Sequence, residues 1–180
     1  MRRRLLGLVA VVVLAACTPT YDWREVKSDA VVALLPAKPS SQTRELELAG
    51  LKVQMTMQSA RADALAFAVA RVDLPAGSDA AARESIVDAL RTALLRNAGG
   101  GTPVENAVGI ARSERGAPAL PARALAVRGE QDGHKLALEA RLIARDDHVW
   151  QIAVYGPAER MDKPDGRAAI DTFMLSLQID

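Results

Sequence analysis

The chain has 180 residues, of which 49% are hydrophobic and only 3% aromatic, and its formal net charge is +1. That length suits one domain, whose core can bury roughly two-thirds of the chain's surface without a covalent staple. Near-balanced charge excludes a nucleic-acid binder or a polybasic membrane surface, and the single cysteine excludes an intramolecular disulfide.

The N-terminal stretch departs from the rest in composition. Arg2, Arg3 and Arg4 precede an unbroken apolar run from Leu5 to Ala16, which ends Leu14-Ala15-Ala16-Cys17. A basic segment, a short apolar segment and small residues before a cut make the layout of a secretory signal. The run is too short to cross a ~30 Å hydrocarbon layer as a helix. Removing residues 1–16 takes the net charge from +1 to −2. The ending Leu-Ala-Ala-Cys resembles the lipobox of bacterial lipoproteins. The resemblance implies that 1–16 is a signal peptide and that Cys17 carries acyl chains, palmitate among them, as the first residue of the mature protein. Thr18 follows the cysteine, and by the same resemblance a residue other than aspartate there implies the outer membrane, periplasmic face.

Residues 17–27 read as a tether. From Cys17 to Ser28 the chain advances eleven residues, about 36–40 Å when fully extended. Within it, Tyr21 and Trp23 are either a recognition motif or a pair that docks the tether on the domain, since amphipathic aromatics favour interfaces. Residues 28–180 then form the domain.

Ala30 to Leu35, stopped by Pro36, predicts a first strand. Glu45-Leu46-Glu47-Leu48 and the eight-residue alternation Leu51 to Gln58 flank Ala49-Gly50, which predicts a hairpin with one buried face. Met55 and Met57 share that face with Leu51 and Val53 and read as core filling, not metal ligands. Ala64 to Val72 is a further strand, with Leu65, Phe67 and Val69 on one face. Ser78 reads as the N-cap of a helix whose apolar stripe is Ala82, Ile86, Leu90, Ala93 and Leu94, ended by Asn97 and Gly99-Gly100-Gly101. The glycines follow a helix and lack a neighbouring lysine, so they read as a stop and connector rather than a phosphate loop. Four strands follow over Glu105–Arg112, Pro121–Arg128, Lys135–Arg145 and Val149–Tyr155. In the third, Leu136, Leu138, Ala140 and Leu142 oppose Glu139, Arg141 and Arg145. A last helix starts at Asp162 and Pro164, with Ala169, Ile170, Phe173, Met174 and Leu177 inward.

Strands, helix, strands, helix is the order of an α+β protein. The stretch from Arg141 to Pro157, with its Gly156-Pro157 exit, and the helix ending Phe173-Met-Leu-Ser-Leu-Gln-Ile179 resemble the closing section of the PsbP-like fold. Leu177 stands where that pattern has a second phenylalanine. The detailed likeness covers about the last 40 residues. It implies an α/β/α sandwich, a twisted antiparallel sheet flanked by helices, with Phe67, Ile86, Leu90, Trp150, Ile152 and Phe173 buried on its heavier face. A shared fold carries no function.

Candidate chemistry is sparse. His134 and His148 stand on different predicted strands with no cysteine or Glu-x-x-His pattern nearby, short of the three or four ligands of a zinc site. Gly-x-Ser-x-Gly is absent, and Asp146-Asp147 reads as a turn. Among Arg112, Arg115, Arg123, Arg128, Arg141 and Arg145, the last four are the candidates for gripping a partner or an anion. The opposing account is a solvated face balanced by Glu114, Glu130 and Glu139. The expectation is a lipid-anchored protein with a non-enzymatic binding or accessory role toward an envelope protein, without cofactor or metal. The alternative is a small-ligand or hydrolytic protein with a site between sheet and helix, using the arginines with His134 or His148.

Overall fold

The computed structural model describes residues Thr20–Asp180. The segment 1–16 read as a signal peptide, the Leu-Ala-Ala-Cys sequence and Cys17 lie outside the described residues. Among the described residues, ten strands and three helices follow one another: β1 (Arg24–Ser28), β2 (Val31–Leu35), β3 (Ser40–Leu48), β4 (Leu51–Ala62), β5 (Leu65–Asp73), α1 (Ala80–Asn97), β6 (Val104–Arg112), β7 (Leu120–Gln131), β8 (His134–Arg145), β9 (His148–Pro157), α2 (Ala158–Asp162), α3 (Pro164–Leu175) and β10 (Gln178–Ile179). No helix among the described residues is long and apolar enough to cross a membrane.

The alternating stretches became strands, longer than predicted at most ends. Two hairpins turn on Ala49-Gly50 and Asp132-Gly133, where both residues have positive φ. That is the primed turn whose twist matches its flanking strands. Helix α1 starts one residue later than its serine suggests. Asp79 is the N-cap, its carboxylate accepting from the Ala82 amide at 2.8 Å, while Ser78 donates to the Pro75 carbonyl at 2.6 Å.

The α/β/α sandwich does not hold. More than half of the described residues are in strands, and all ten strands join one mixed sheet, ordered β1-β2-β10-β6-β7-β8-β9-β5-β4-β3. Every pairing is antiparallel except β10 with β6, which is parallel. Two missed strands account for much of the difference. Arg24–Ser28, read as tether except for Ser28, pairs along its length with β2. Gln178–Ile179 wedges between β2 and β6 and links the first hairpin to the rest.

The sheet then curls over its own face. Gln58 on β4 donates to the Lys27 carbonyl on β1 at 2.7 Å, and the Trp150 indole on β9 donates to the Ser28 carbonyl at 3.3 Å. The β1–β2 hairpin thereby covers β5 and β9, so strand packs on strand where the sandwich reading expects a helix. Val26, Val31, Ala33 and Leu35 share one core with Leu65, Phe67, Val69, Trp150, Ile152, Val154 and the α3 residues Ile170 and Phe173. A second core joins Ile86, Leu90 and Leu94 of α1 to Leu125, Val127, Leu138, Ala140, Leu142 and Val149. The six large residues predicted to share one face are all buried, but Ile86 and Leu90 belong to the second core.

The triple glycine is a packed crossing, not a loose connector. A Cβ on Gly101 would lie 2.1 Å from the Arg128 carbonyl oxygen, and one on Gly129 would lie 2.2 Å from that of Ala98. The chain leaving α1 passes backbone to backbone over β7, an approach that excludes any side chain.

Candidate functional site

Strand alternation decides where the four candidate arginines go. Arg123 shares the β7 face of Leu125 and Val127, which packs on α1. It reaches Glu84 and Asp88 of that helix, the latter at 2.9 Å. The Asp88 hydrogen bond raises the Arg123 pKa, burial opposes it, and Glu84 adds to the rise. Arg128, one step out of phase, makes a two-point contact with Asp162 of α2 at 3.0 and 2.6 Å. Arg141 on β8 donates to the Met174 carbonyl at the end of α3 at 3.0 Å. A cation at a helix C-terminus satisfies an orphan carbonyl and the negative end of the dipole. Burial lowers the Arg141 pKa, against a rise from Glu139. Arg145 reaches Asp146 at 3.1 Å and also the Asp180 carbonyl.

The four therefore do not make one guanidinium patch. They lie on both faces of the sheet, and each is held by a carboxylate or carbonyl of its own chain. The hydrogen-bonded acid partners of Arg123 and Arg128 are not among the expected Glu114, Glu130 and Glu139. Glu139 is taken by Arg167 of α3 at 3.0 Å, while α1 and α2 supply the partners of Arg123 and Arg128.

The two histidines sit at opposite ends of the sheet. His134, beside the β7–β8 turn, lines a groove of about 1150 Å³ with Arg128, Glu130, Lys135, Tyr155 and Glu159. His148 starts β9 at the other end, directly across from Asp73 on β5. Its Nδ1 lies 3.1 Å from Asp73 Oδ1, which is also 2.7 Å from Arg71 Nε. Neither contact has the alignment of a hydrogen bond, although Arg71 Nη2 does donate to Asp73 Oδ2 at 3.1 Å. Asp29 of the β1–β2 turn stands 3.8 Å from His148 Nε2 and 3.7 Å from Arg71. Among the described residues, no three His, Cys, Asp or Glu are placed to hold a metal ion.

Sequence reasoning missed Arg71, Asp73 and Asp29 as a group, because only the strand register brings them together. It also missed Arg160, whose side chain is 13% exposed and joins Asp63 to Asp165. The Asp165 hydrogen bond raises the Arg160 pKa and lowers that of Asp165. Beside them the first described residues are docked. Tyr21 stacks on Trp23 at 5.8 Å, Trp23 meets Phe67 edge to face at 6.4 Å, and the Tyr21 hydroxyl reaches Asp63 at 3.4 Å. Of the two accounts of Tyr21 and Trp23, the geometry is that of docking.

Neither a known protein-family model nor a curated protein matches this chain.

Proposed function

We propose that this protein is a lipid-anchored, periplasm-facing envelope lipoprotein with a non-enzymatic binding or accessory role, acting on another envelope protein. The observation that carries the reading is Leu14-Ala15-Ala16-Cys17 behind a basic and then an apolar segment. Thr18 after the cysteine supports the outer membrane as its site. One acyl chain gives marginal membrane binding, whereas the several chains of a mature lipoprotein hold firmly.

The test is fractionation of a Cys17→Ala variant. Loss of the protein from the membrane fraction, or its accumulation unprocessed, is expected. Mature-sized, membrane-bound variant protein would refute the anchor. Crosslinking in intact cells then identifies the partner.

The small-ligand or hydrolytic reading draws on the groove beside His134. Its weakness is spatial, because the histidine with a carboxylate at contact distance is His148, at the opposite end of the sheet from that groove. A small molecule retained by the purified domain, with no protein partner recovered, would favour it.

A further inference from the structure

We propose that the docked tether fixes the domain in one orientation on the lipid surface, with the end that carries the groove turned toward the headgroups. The inference rests on Cys17 being the acylated anchor. From Cys17 to Tyr21 the chain advances only four residues, a reach of about 13–14 Å at full extension. The sequence alone allows nearly three times that length, because it leaves the tether free as far as Ser28. From Tyr21 onward the chain is held by the domain. Trp23 sits against Phe67, Tyr21 reaches Asp63, and the Asp22 amide donates to the Pro36 carbonyl at 2.8 Å.

Those contacts all lie at one end of the sheet. Asp63 is in the turn between β4 and β5, and Pro36 follows the last residue of β2. Strand register places the rest of that end. Ala66 at the start of β5 lies across from Tyr155 near the end of β9, and Leu136 at the start of β8 lies across from Pro157. The Asp132-Gly133 turn and α2 are therefore at the same end, and both contribute to the groove lining. The opposite end carries Asp29, Asp73 and His148, a strand's length away, roughly 30 Å. The tip of the β3–β4 hairpin projects beyond even these, since Gln54 of β4 is already level with Asp73.

Charge does not set this orientation. The tether end mixes Arg61, Lys135 and Lys163 with Glu130, Asp132 and Glu159, so it has no excess to draw it onto anionic lipid. A short mechanical leash does the work. Its consequence is that whatever occupies the groove is met close to the bilayer, and the hairpin tip is offered to proteins further out.

The experiment uses the acylated full-length protein in phosphatidylethanolamine–phosphatidylglycerol vesicles that carry a rhodamine headgroup acceptor. A maleimide donor is placed on Arg61→Cys or on Glu47→Cys; the acylated Cys17 is a thioether and does not react. Both positions are exposed, and they lie roughly nine residues apart along the hairpin, about 30 Å. Energy transfer from residue 61 should be at least twice that from residue 47. Ten Gly-Ser residues inserted after Thr18 should bring the ratio toward one. Equal transfer from the two sites on the native tether overturns the orientation while leaving the anchor intact, as does a ratio that the insertion leaves unchanged. Protein that fails to float with the vesicles overturns the anchor, and the orientation with it.

Discussion

Replacing Phe173 by alanine is the most direct test of how the larger core is closed. The ring is fully buried and meets Phe67 edge to face, with centroids 5.4 Å apart and planes at 89°. Phe→Ala changes in cores cost about 3–5 kcal/mol, the larger values arising where the hole cannot collapse. This hole is poorly placed to collapse, because the core it belongs to includes several alanines, Ala33, Ala60 and Ala169 among them, which have no side-chain rotamers with which to fill it. The expected loss is therefore in the upper half of the range, about 4–5 kcal/mol. Set against a usual domain stability of about 5–15 kcal/mol, that is a large fraction of the whole. Urea denaturation followed by the fluorescence of Trp150, 1% exposed in the same core, reads the loss. Leu175→Ala, on the same helix but 81% exposed, is the control and should change stability by no more than about 0.5 kcal/mol. A Phe173→Ala loss below about 1 kcal/mol, outside the range for such cores, would mean that α3 does not close this core as described.

Further substitutions probe two features that the sequence did not announce. Gly129→Ala should destabilise the domain by about 1–3 kcal/mol or more, because the new methyl meets the backbone of Ala98 and Gly100 and no flexible side chain can give way. Gly133→Ala, where a Cβ has open space, should cost only the strain of a positive φ, and an equal loss at the two sites in chemical denaturation would refute the packed crossing. Arg91 of α1 donates to Glu105 of β6 at 2.8 Å, and this hydrogen bond is the chief reason that the Glu105 pKa lies below its ordinary 4.5, against burial, which raises it. A carboxylate with a depressed folded pKa contributes stability above its unfolded pKa and loses it as pH falls through the folded value. Glu105→Gln should therefore be less stable than the native chain at pH 7, and the gap should close as pH falls below about 4.5. A gap that is the same at pH 3 as at pH 7 would show that the ion pair does not stabilise the fold.

Most of the elements were legible along the chain, and so was the signature on which the proposed anchor rests. Alternation at Leu51–Gln58 and Lys135–Arg145, the Asn97-Ala98-Gly99 stop and the Pro164 start are local signals, each written within a few residues. Lys135–Arg145 could also be given its two faces, and Leu138, Ala140 and Leu142 do share a core. What tertiary structure decided was everything that depends on partners distant in the chain. Arg24–Ser28 alternates too weakly to be read as a strand, yet it is one because β2 supplies its hydrogen bonds and Phe67 lies beneath its approach. Gln178–Ile179 is too short to signal anything, and its place between β2 and β6 turns an antiparallel meander into a mixed, curled sheet. The arginines followed the same logic. Their phase along β7 and β8 was visible, but which helix would bring a carboxylate to Arg123 or Arg128, or a carbonyl to Arg141, was not. A guanidinium can be counted from sequence; whether it is free depends on contacts 34 to 39 residues away for those ion pairs, and only the folded chain makes them.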